Sequence, residues 1–487
     1  MHFIIKLFPE ITIKSSPVRK RLTRQLRENL RRLLLPLDSR ISVVRDWEKL
    51  EVEVPDDREG LASEVADVLA STPGIAKFAR VDVLPLTTLD AIRDAVVASW
   101  GERIGGKTFC VRARRTGSHD FSSMDVERTV GAGLFALGTS AGVDLRHPQV
   151  VVPIEVRGDQ VFVLHDGRQG LGGFPLGTQD AVLSLISGGF DSTVASYLTM
   201  KRGLLTHFCF FNLGGRAHEL GVKEVAEYLW RKFGASHRVR FITVPFEEVV
   251  SEILTKVDNS YMGVVLKRMM IRAASQVAAS LEVGALVTGE SVAQVSSQTL
   301  ANLGVIDEVS DMLTLRPLAV MDKGDIIDIA RAIGTEQFAA NMPEYCGVIS
   351  VKPKTRAKRE HVIREEGRFD MAVLERAVAA RRVENIDELL KAELATAESG
   401  VPIHATPQPG AVILDVRHPD EVARQALQAG SAKVMAIPFY SLDKMMATLD
   451  ADQLYLLYCD RGVMSRLHAE LLHDKGYRNV GVYRPAG

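Results

Sequence analysis

The chain has 487 residues, 46% of them hydrophobic, and its 60 Lys and Arg nearly cancel its 61 Asp and Glu. At roughly 100 to 200 residues per domain, this length implies several domains, and the near-zero total leaves nucleic-acid binding to be judged from local charge. No run approaches the roughly 18 apolar residues of a membrane helix, and the amino terminus lacks a secretory apolar core with a cleavage site. A cytoplasmic chain without a membrane partner is expected. Four dispersed cysteines, Cys110, Cys209, Cys346 and Cys459, form neither a disulfide framework nor a CxxC or His/Cys set for zinc, so no metal-ligating residues are assigned.

Residues 3 to 8 and 42 to 54 read as strand. Between them Val18, Leu22, Leu26, Leu30 and Leu33 recur at helical spacing, with a basic opposite face that includes Arg19, Lys20, Arg24 and Arg27. This predicts a small α+β unit over 1–60. A second such unit is predicted over 61–165, with helices at 61–70 and 126–137 and strands at 109–115, 150–157 and 160–165. Arg112, Arg114 and Arg115 add positive charge there. A glycine-rich linker follows at 167–178.

From 180 to about 345, apolar strands at 181–186, 204–212, 238–244 and 285–289 alternate with helices at 220–233, 263–281 and 323–333. That order predicts a parallel sheet with helices on both faces. A basic segment over 351–364 and a helical stretch to about 395 come next. The segment 399–410 reads as a linker, and a last α/β unit has strands at 411–416, 433–437 and 453–459.

The stretch Leu183–Ser196, L-S-L-I-S-G-G-F-D-S-T-V-A-S, is a strand, a tight glycine turn and a helix. Glycine lets backbone approach a ligand closely, and free amides at a helix start favour phosphate. The spacing fits neither a Walker P-loop nor a dinucleotide fingerprint. An ordinary βα connection is the lesser reading of the turn taken alone, and Asp191 either caps the helix or faces Mg²⁺ on a pyrophosphate. The motif Ser187–Ser192 resembles the pyrophosphate loop of the PP-loop ATP pyrophosphatases. That resemblance implies cleavage of ATP between its α and β phosphates and activation of a carbonyl oxygen as an adenylate.

The stretches V-I-L-D-V-R-H-P-D-E (412–421) and L-Y-C-D-R-G-V-M-S-R (457–466) resemble a rhodanese domain. Cys459 ends a strand and opens a loop that leads into a helix. Loop amides, with Arg461 and Arg466 if they point inward, would lower the pKa of a thiolate or persulfide there. A buried strand-end cysteine is the structural alternative. Asp415 and Arg417 either tie the first strand to this loop or only cap it.

The order of these features over nearly the whole chain, with K-L-F-P-E-I at 6–11 and P-E-Y-C-G-V-I-S at 343–350, resembles the ThiI family of tRNA sulfurtransferases. The resemblance implies a multidomain α+β and α/β chain. A ferredoxin-like domain (1–60) and a THUMP domain (61–165) would bind tRNA, a PP-loop domain (175–398) would adenylate a uridine, and a rhodanese-like domain (404–487) would carry sulfur. By the same resemblance, Cys459 carries the persulfide, Cys346 is its partner cysteine, and Asp191 and Lys323 serve activation. ATP would be met by Leu185, Ile186, Ser187, Gly188, Gly189, Ser192, Lys267, Gly289 and Gln298, with Mg²⁺. By spacing alone Lys267 reads equally as solvent-facing, a routine turn is the alternative for Gly289 and a charged turn for Lys323, and Gln298 carries little weight.

The implied partners are tRNA modified at uridine 8, a cysteine desulfurase as persulfide donor, and a thiol or protein reductant. A ThiS-type sulfur carrier protein in thiamine thiazole synthesis and a homodimer stay open. So do two rivals: a small-molecule adenylating synthetase fused to a sulfur carrier, and a non-catalytic RNA-binding or sulfur-relay protein. The two basic units that precede the PP-loop motif disfavour the first. The intact S-G-G-F-D-S and Cys459 disfavour the second. Cys110 and Cys209, in apolar strand patterns, are assigned to packing.

Overall fold

The computed structural model describes residues 1–487 except 47, 48, 56, 59, 166, 214, 343–351, 391–399, 431, 461, 486 and 487. The chain divides into two compact units, Met1–Thr178 with Lys201–Gly203, and Gln179–Met200 with Leu204–Gly487. Among the described residues no helix is long and apolar enough to cross a membrane.

The first unit holds strands β1 (His2–Leu7), β2 (Ser42–Asp46), β3 (Lys49–Glu53), β4 (Ile75–Pro85), β5 (Thr108–Thr116), β6 (Gly142–Val143), β7 (Val150–Arg157), β8 (Gln160–Leu164) and β9 (Arg168–Gln169). They form one sheet in the order β2-β3-β1-β4-β8-β7-β5-β6, with β9 also paired to β4. The stretch 42–54 therefore folds back on itself as an antiparallel pair. The basic helix is Ser16–Leu34. Pro17 sits in its first turn, where a missing N–H costs nothing. Leu22, Leu26, Leu30 and Leu34 recur every fourth residue and are buried, each burial stabilising by roughly 1.5–3 kcal/mol as an upper figure. Arg24 and Arg27 lie exposed on the other side. The helix Leu61–Ser71 buries Leu61, Val65 and Leu69 in the same core as Ile5 and Leu26. A second core gathers Trp100, Phe109, Val130 and Ile154. Its helix Ser123–Ala136 starts on a capping box between Ser122 and Asp125. Cys110 is buried on β5, and burial raises its thiol pKa.

The second unit contains two sheets. The larger runs β14-β13-β10-β11-β12-β15, from β10 (Ala181–Leu185), β11 (Leu205–Asn212), β12 (Arg240–Pro245), β13 (Ala285–Val287), β14 (Leu313–Leu315) and β15 (Arg382–Asn385). All its pairs are parallel except β12 with β15. The parallel sheet predicted from the alternation thus gains an antiparallel edge, inside the stretch read as helical to about 395. The chain steps from β10 to β11 and β12 on one side, then returns to β13 on the other. This places a topological switch point at the carboxyl end of β10, where ligands bind in such sheets. Cys209 is fully buried on β11, and desolvation pushes its thiol up to about 12.

The smaller sheet runs β16-β20-β19-β17-β18, from β16 (Ile403–His404), β17 (Val412–Asp415), β18 (Lys433–Ala436), β19 (Tyr455–Tyr458) and β20 (Val480–Tyr483). Part of the segment read as a linker is therefore an edge strand, β16, paired with β20.

Candidate active site

Strand β10 is covered on both flanks, and its carboxyl end delivers the turn Ile186–Gly189 into the helix Phe190–Lys201. Gly188 adopts φ +84°, a left-handed backbone that glycine tolerates. The turn is pinned from within. The Ser187 N–H donates to Ser192 Oγ at 3.1 Å, and the Thr193 hydroxyl donates to the Gly189 carbonyl at 2.8 Å. The first amides of such a helix have no intrahelical acceptor and remain for an anion.

The end of β13 closes directly onto this helix start. A Cβ on Gly289 would lie 2.5 Å from both the Asp191 carbonyl carbon and the Ser192 nitrogen, so only glycine fits. Asp191 is engaged on both carboxylate oxygens. Lys323 Nζ donates to Oδ1 at 2.7 Å and Gln294 Nε2 donates to Oδ2 at 2.7 Å. The Lys323 ammonium also sits 5.4 Å from the centre of the Phe190 ring. Lys323 opens the helix Lys323–Ile333, so the fold brings together two residues that are 132 positions apart.

These residues border a cavity of about 850 Å³. Leu185, Ile186, Ser187, Gly189, Asp191, Ser192, Lys267, Gly289, Gln298 and Lys323 all line it. Gly188 lies behind them, against Met342, whose Cε would be 2.4 Å from a Cβ at that glycine. Phe210, Phe211, Val264 and Met270 supply apolar wall. Gln298 is buried, and its Oε1 has no hydrogen-bond partner among the described residues. An acceptor left unmatched in this way suits an amino donor from a ligand.

Lys267 donates to Glu290 Oε1 at 2.7 Å. Arg316 Nε donates to the other oxygen of Glu290 at 2.9 Å, and its NH1 donates to Asp307 at 2.9 Å. Burial alone would raise the Glu290 pKa, but the charges of Lys267 and Arg316 prevail and hold it below the ordinary value. Glu290, Gln294 and Arg316 were not among the residues expected from sequence. The one available signal was that Glu290 and Gln294 follow the strand-end Thr288-Gly289 pair in a stretch otherwise rich in small residues.

A second site, built around a thiol, lies at the end of β19. The Cys459 Sγ accepts the Ser465 N–H at 3.3 Å, and its S–H donates to Ser465 Oγ at 3.4 Å. Ser465 stands in the first turn of the helix Val463–Asp474. Arg417 is buried and joins Asp415, at 2.7 Å, to Asp460, at 2.9 Å, so it does tie the first strand to the cysteine loop. Arg466 turns instead to Glu470 at 3.2 Å. Arg461 lies outside the described residues, as does Cys346.

Cys459 faces a chamber of about 770 Å³, whose other walls include Glu224, Glu227, Tyr228 and Arg231. Polar contacts hold the two sheets of this unit together: His468 with Glu224 at 2.6 Å, Arg231 with Glu421 at 2.9 Å, and Lys232 with Asp420 at 3.0 Å. Phe338 adds ring contacts to His418, Phe439 and Tyr440. Two helices take part in both cavities. Gly215–Leu229 contributes His218 to the first and Glu224 to the second, while Glu336–Asn341 contributes Ala339 to the first and Phe338 to the second.

Residues 177–371 match the family described as thiamine biosynthesis protein (ThiI), residues 87–166 a THUMP domain, and residues 403–485 a rhodanese-like domain. The chain is 53% identical over 489 residues to a tRNA sulfurtransferase of Saccharophagus degradans, and 55% identical to one of Pseudomonas aeruginosa, with all of each chain covered. It also resembles the crystal structure of a 4-thiouridine synthetase–RNA complex with bound ATP, at a TM-score of 0.70 and 26% identity, covering 79% of this chain and 99% of that one. With end-to-end identity above one half and three matching domain families in order, the chain belongs to the ThiI family of tRNA sulfurtransferases.

Proposed function

We propose that this chain converts uridine to 4-thiouridine in tRNA, at position 8 by family resemblance, by adenylating the base oxygen and replacing it with sulfur carried on Cys459. The observation that carries the reading is the pairing, in one compact unit, of a nucleotide-sized cavity at the Ser187–Ser192 loop with a thiol chamber that shares two wall helices. ATP is the substrate the first cavity suits. Its pyrophosphate would take the amides of the loop and helix start, and an adenine amino group would answer the unmatched Gln298 oxygen.

In the reaction, uridine O4 attacks the α-phosphorus and pyrophosphate leaves. The Lys323 ammonium offsets charge gathering on the phosphate oxygens, and Asp191 and Phe190 hold it in place. Mg²⁺ would be held by Asp191 together with nucleotide phosphates, the carboxylate sharing with the ion the oxygens that accept from Lys323 and Gln294. When bound, it neutralises phosphate charge.

Sulfur reaches Cys459 as a persulfide from a cysteine desulfurase, with the Ser465 amide and hydroxyl close to the thiol sulfur. By one route the outer sulfur attacks C4 and expels AMP. The Cys346 thiolate then attacks Cys459 Sγ, so that a disulfide forms and sulfur stays on the base. By the other, Cys346 attacks first and releases sulfide, which attacks C4. Both routes end with a disulfide that a two-electron thiol or protein reductant must open. Met342 packs on Gly188 at the pyrophosphate loop. The basic face of Ser16–Leu34 and the exposed Arg112, Arg114 and Arg115 suit the phosphates of a folded RNA. The same persulfide would serve a ThiS-type carrier in thiazole synthesis, in line with the family description matched by residues 177–371.

The test is stoichiometry. With tRNA, ATP, a desulfurase and reductant, one AMP and one pyrophosphate should appear per 4-thiouridine. ATP cleavage driven by a small acceptor in the absence of RNA would refute the assignment.

A further inference from the structure

We propose that Glu290 is a positioning residue that fixes the Lys267 ammonium at the wall of the nucleotide cavity, with Arg316 and Asp307 acting behind it as a brace. This rests on the reading of that cavity as the ATP site.

The geometry is a four-member chain of alternating charge, Lys267–Glu290–Arg316–Asp307, with Lys267 and Glu290 lining the cavity. Glu290 is buried, and both of its oxygens are used. One takes Lys267, and the other takes Arg316 and the Thr288 hydroxyl at 3.1 Å. A carboxylate taken out of water is retained only when cations and hydrogen bonds answer it. Here they answer it so fully that its pKa lies below the ordinary value despite burial. Arg316 spreads its fork between Glu290 and Asp307, which fixes the plane of the guanidinium and so the position of Glu290. Lys267 comes from the helix Met262–Ser280, whereas Glu290 and Arg316 follow β13 and β14. A flexible lysine stem is thereby aimed by a rigid sheet edge.

A purely structural ion pair and a positioning device differ in what their loss does to ATP. Glu290→Gln keeps the shape and removes one negative charge beside a polyanion site. Lys267 keeps its charge but loses its aim. Charge that attracts ATP equally in the ground and transition states lowers KM, whereas aim is needed for the rate.

The experiment measures ATP binding by calorimetry, and kcat and KM from tRNA-dependent pyrophosphate release, for wild type, Glu290→Gln and the charge-keeping Glu290→Asp. Glu290→Gln should bind ATP as tightly as wild type or tighter, with kcat lowered about 10- to 100-fold, the effect of displacing a group by about 1 Å. Glu290→Asp should recover part of that rate. A Glu290→Gln kcat within about twofold of wild type, on the scale where tenfold marks one lost interaction, overturns the proposal. So does weakened ATP binding with equal losses in both variants. Wild-type protein that binds ATP but releases no pyrophosphate with tRNA refutes the reaction assigned above, while the binding comparison still decides whether Glu290 tunes the cavity.

Discussion

Gly289→Ala is the sharpest test of how the nucleotide cavity is built. The added Cβ would sit 2.5 Å from two backbone atoms of the helix start, Asp191 C and Ser192 N, and 2.8 Å from the Asp191 carbonyl oxygen. Backbone cannot swing aside as a long side chain can, so the helix start and the end of β13 must separate. Reaching ordinary contact near 3.4 Å needs about 0.9 Å. Overpacking of this kind costs about 1–3 kcal/mol of stability, and a displacement of about 1 Å at reacting groups costs about 100-fold in rate. Asp191, with Lys323 and Gln294 attached, moves with the helix start. Gly284→Ala is the matched control just before the same strand, because a Cβ there meets its nearest atom at an ordinary 3.8 Å. Pyrophosphate release in the presence of tRNA, together with thermal unfolding, reads both effects. Gly289→Ala should lose about 100-fold in rate, with Gly284→Ala within about twofold of wild type. Equal rates for the two variants would refute the close-approach argument.

Two further outcomes follow from named groups. The His418 ring sits between the two sheets of the second unit. Its Nε2 bonds the Gly334 carbonyl at 3.0 Å, and Lys232, Asp420 and Glu421 also face it. Burial, aided by Lys232 and opposed by Asp420 and Glu421, lowers its pKa. A lowered histidine pKa favours the neutral ring in the folded state. That contribution is whole above the ordinary value of about 6.5 and is lost as pH falls through the folded value. Amide exchange in the helix Phe439–Met446, corrected for intrinsic rates, should therefore speed up between about pH 7.5 and about pH 5. Unchanged protection would remove His418 as the cause. On the first unit, Arg24→Ala and Arg27→Ala should each weaken tRNA binding and lower the slope of log affinity against log salt by about 1. Unchanged slopes would take that helix out of the RNA surface.

The parts of this molecule that could be read from sequence were those set by local rules. The Leu22, Leu26 and Leu30 spacing marked the helix Ser16–Leu34, and S-G-G-F-D-S marked the turn between β10 and its helix, because glycine and serine there answer backbone demands. The strand β15 was missed because R-V-E-N carries one apolar residue and pairs only as an antiparallel edge on β12. The antiparallel pairing of β2 with β3 was hidden because the stretch 42–54 holds no glycine or proline to mark a reversal. The supporting shell was hidden for a different reason. Gln294 meets Asp191 across 103 positions, and Lys267 meets Glu290 across 23, so each pairing exists only once the sheet has assembled. The chamber at Cys459 likewise depends on Glu224, 244 positions from His468, its partner across the contact.

In the proposed mechanism one chain both activates a uridine and supplies its sulfur through Cys459. Nucleoside mass spectrometry tests it most directly, on tRNA incubated with the protein, MgATP, a cysteine desulfurase, cysteine and reductant, beside Cys459→Ala and Asp191→Ala. Wild-type protein should yield 4-thiouridine and both variants should lose it, with Cys459→Ala still binding ATP. Unmodified tRNA from wild-type protein that has been shown to bind the RNA and to carry the persulfide would contradict it.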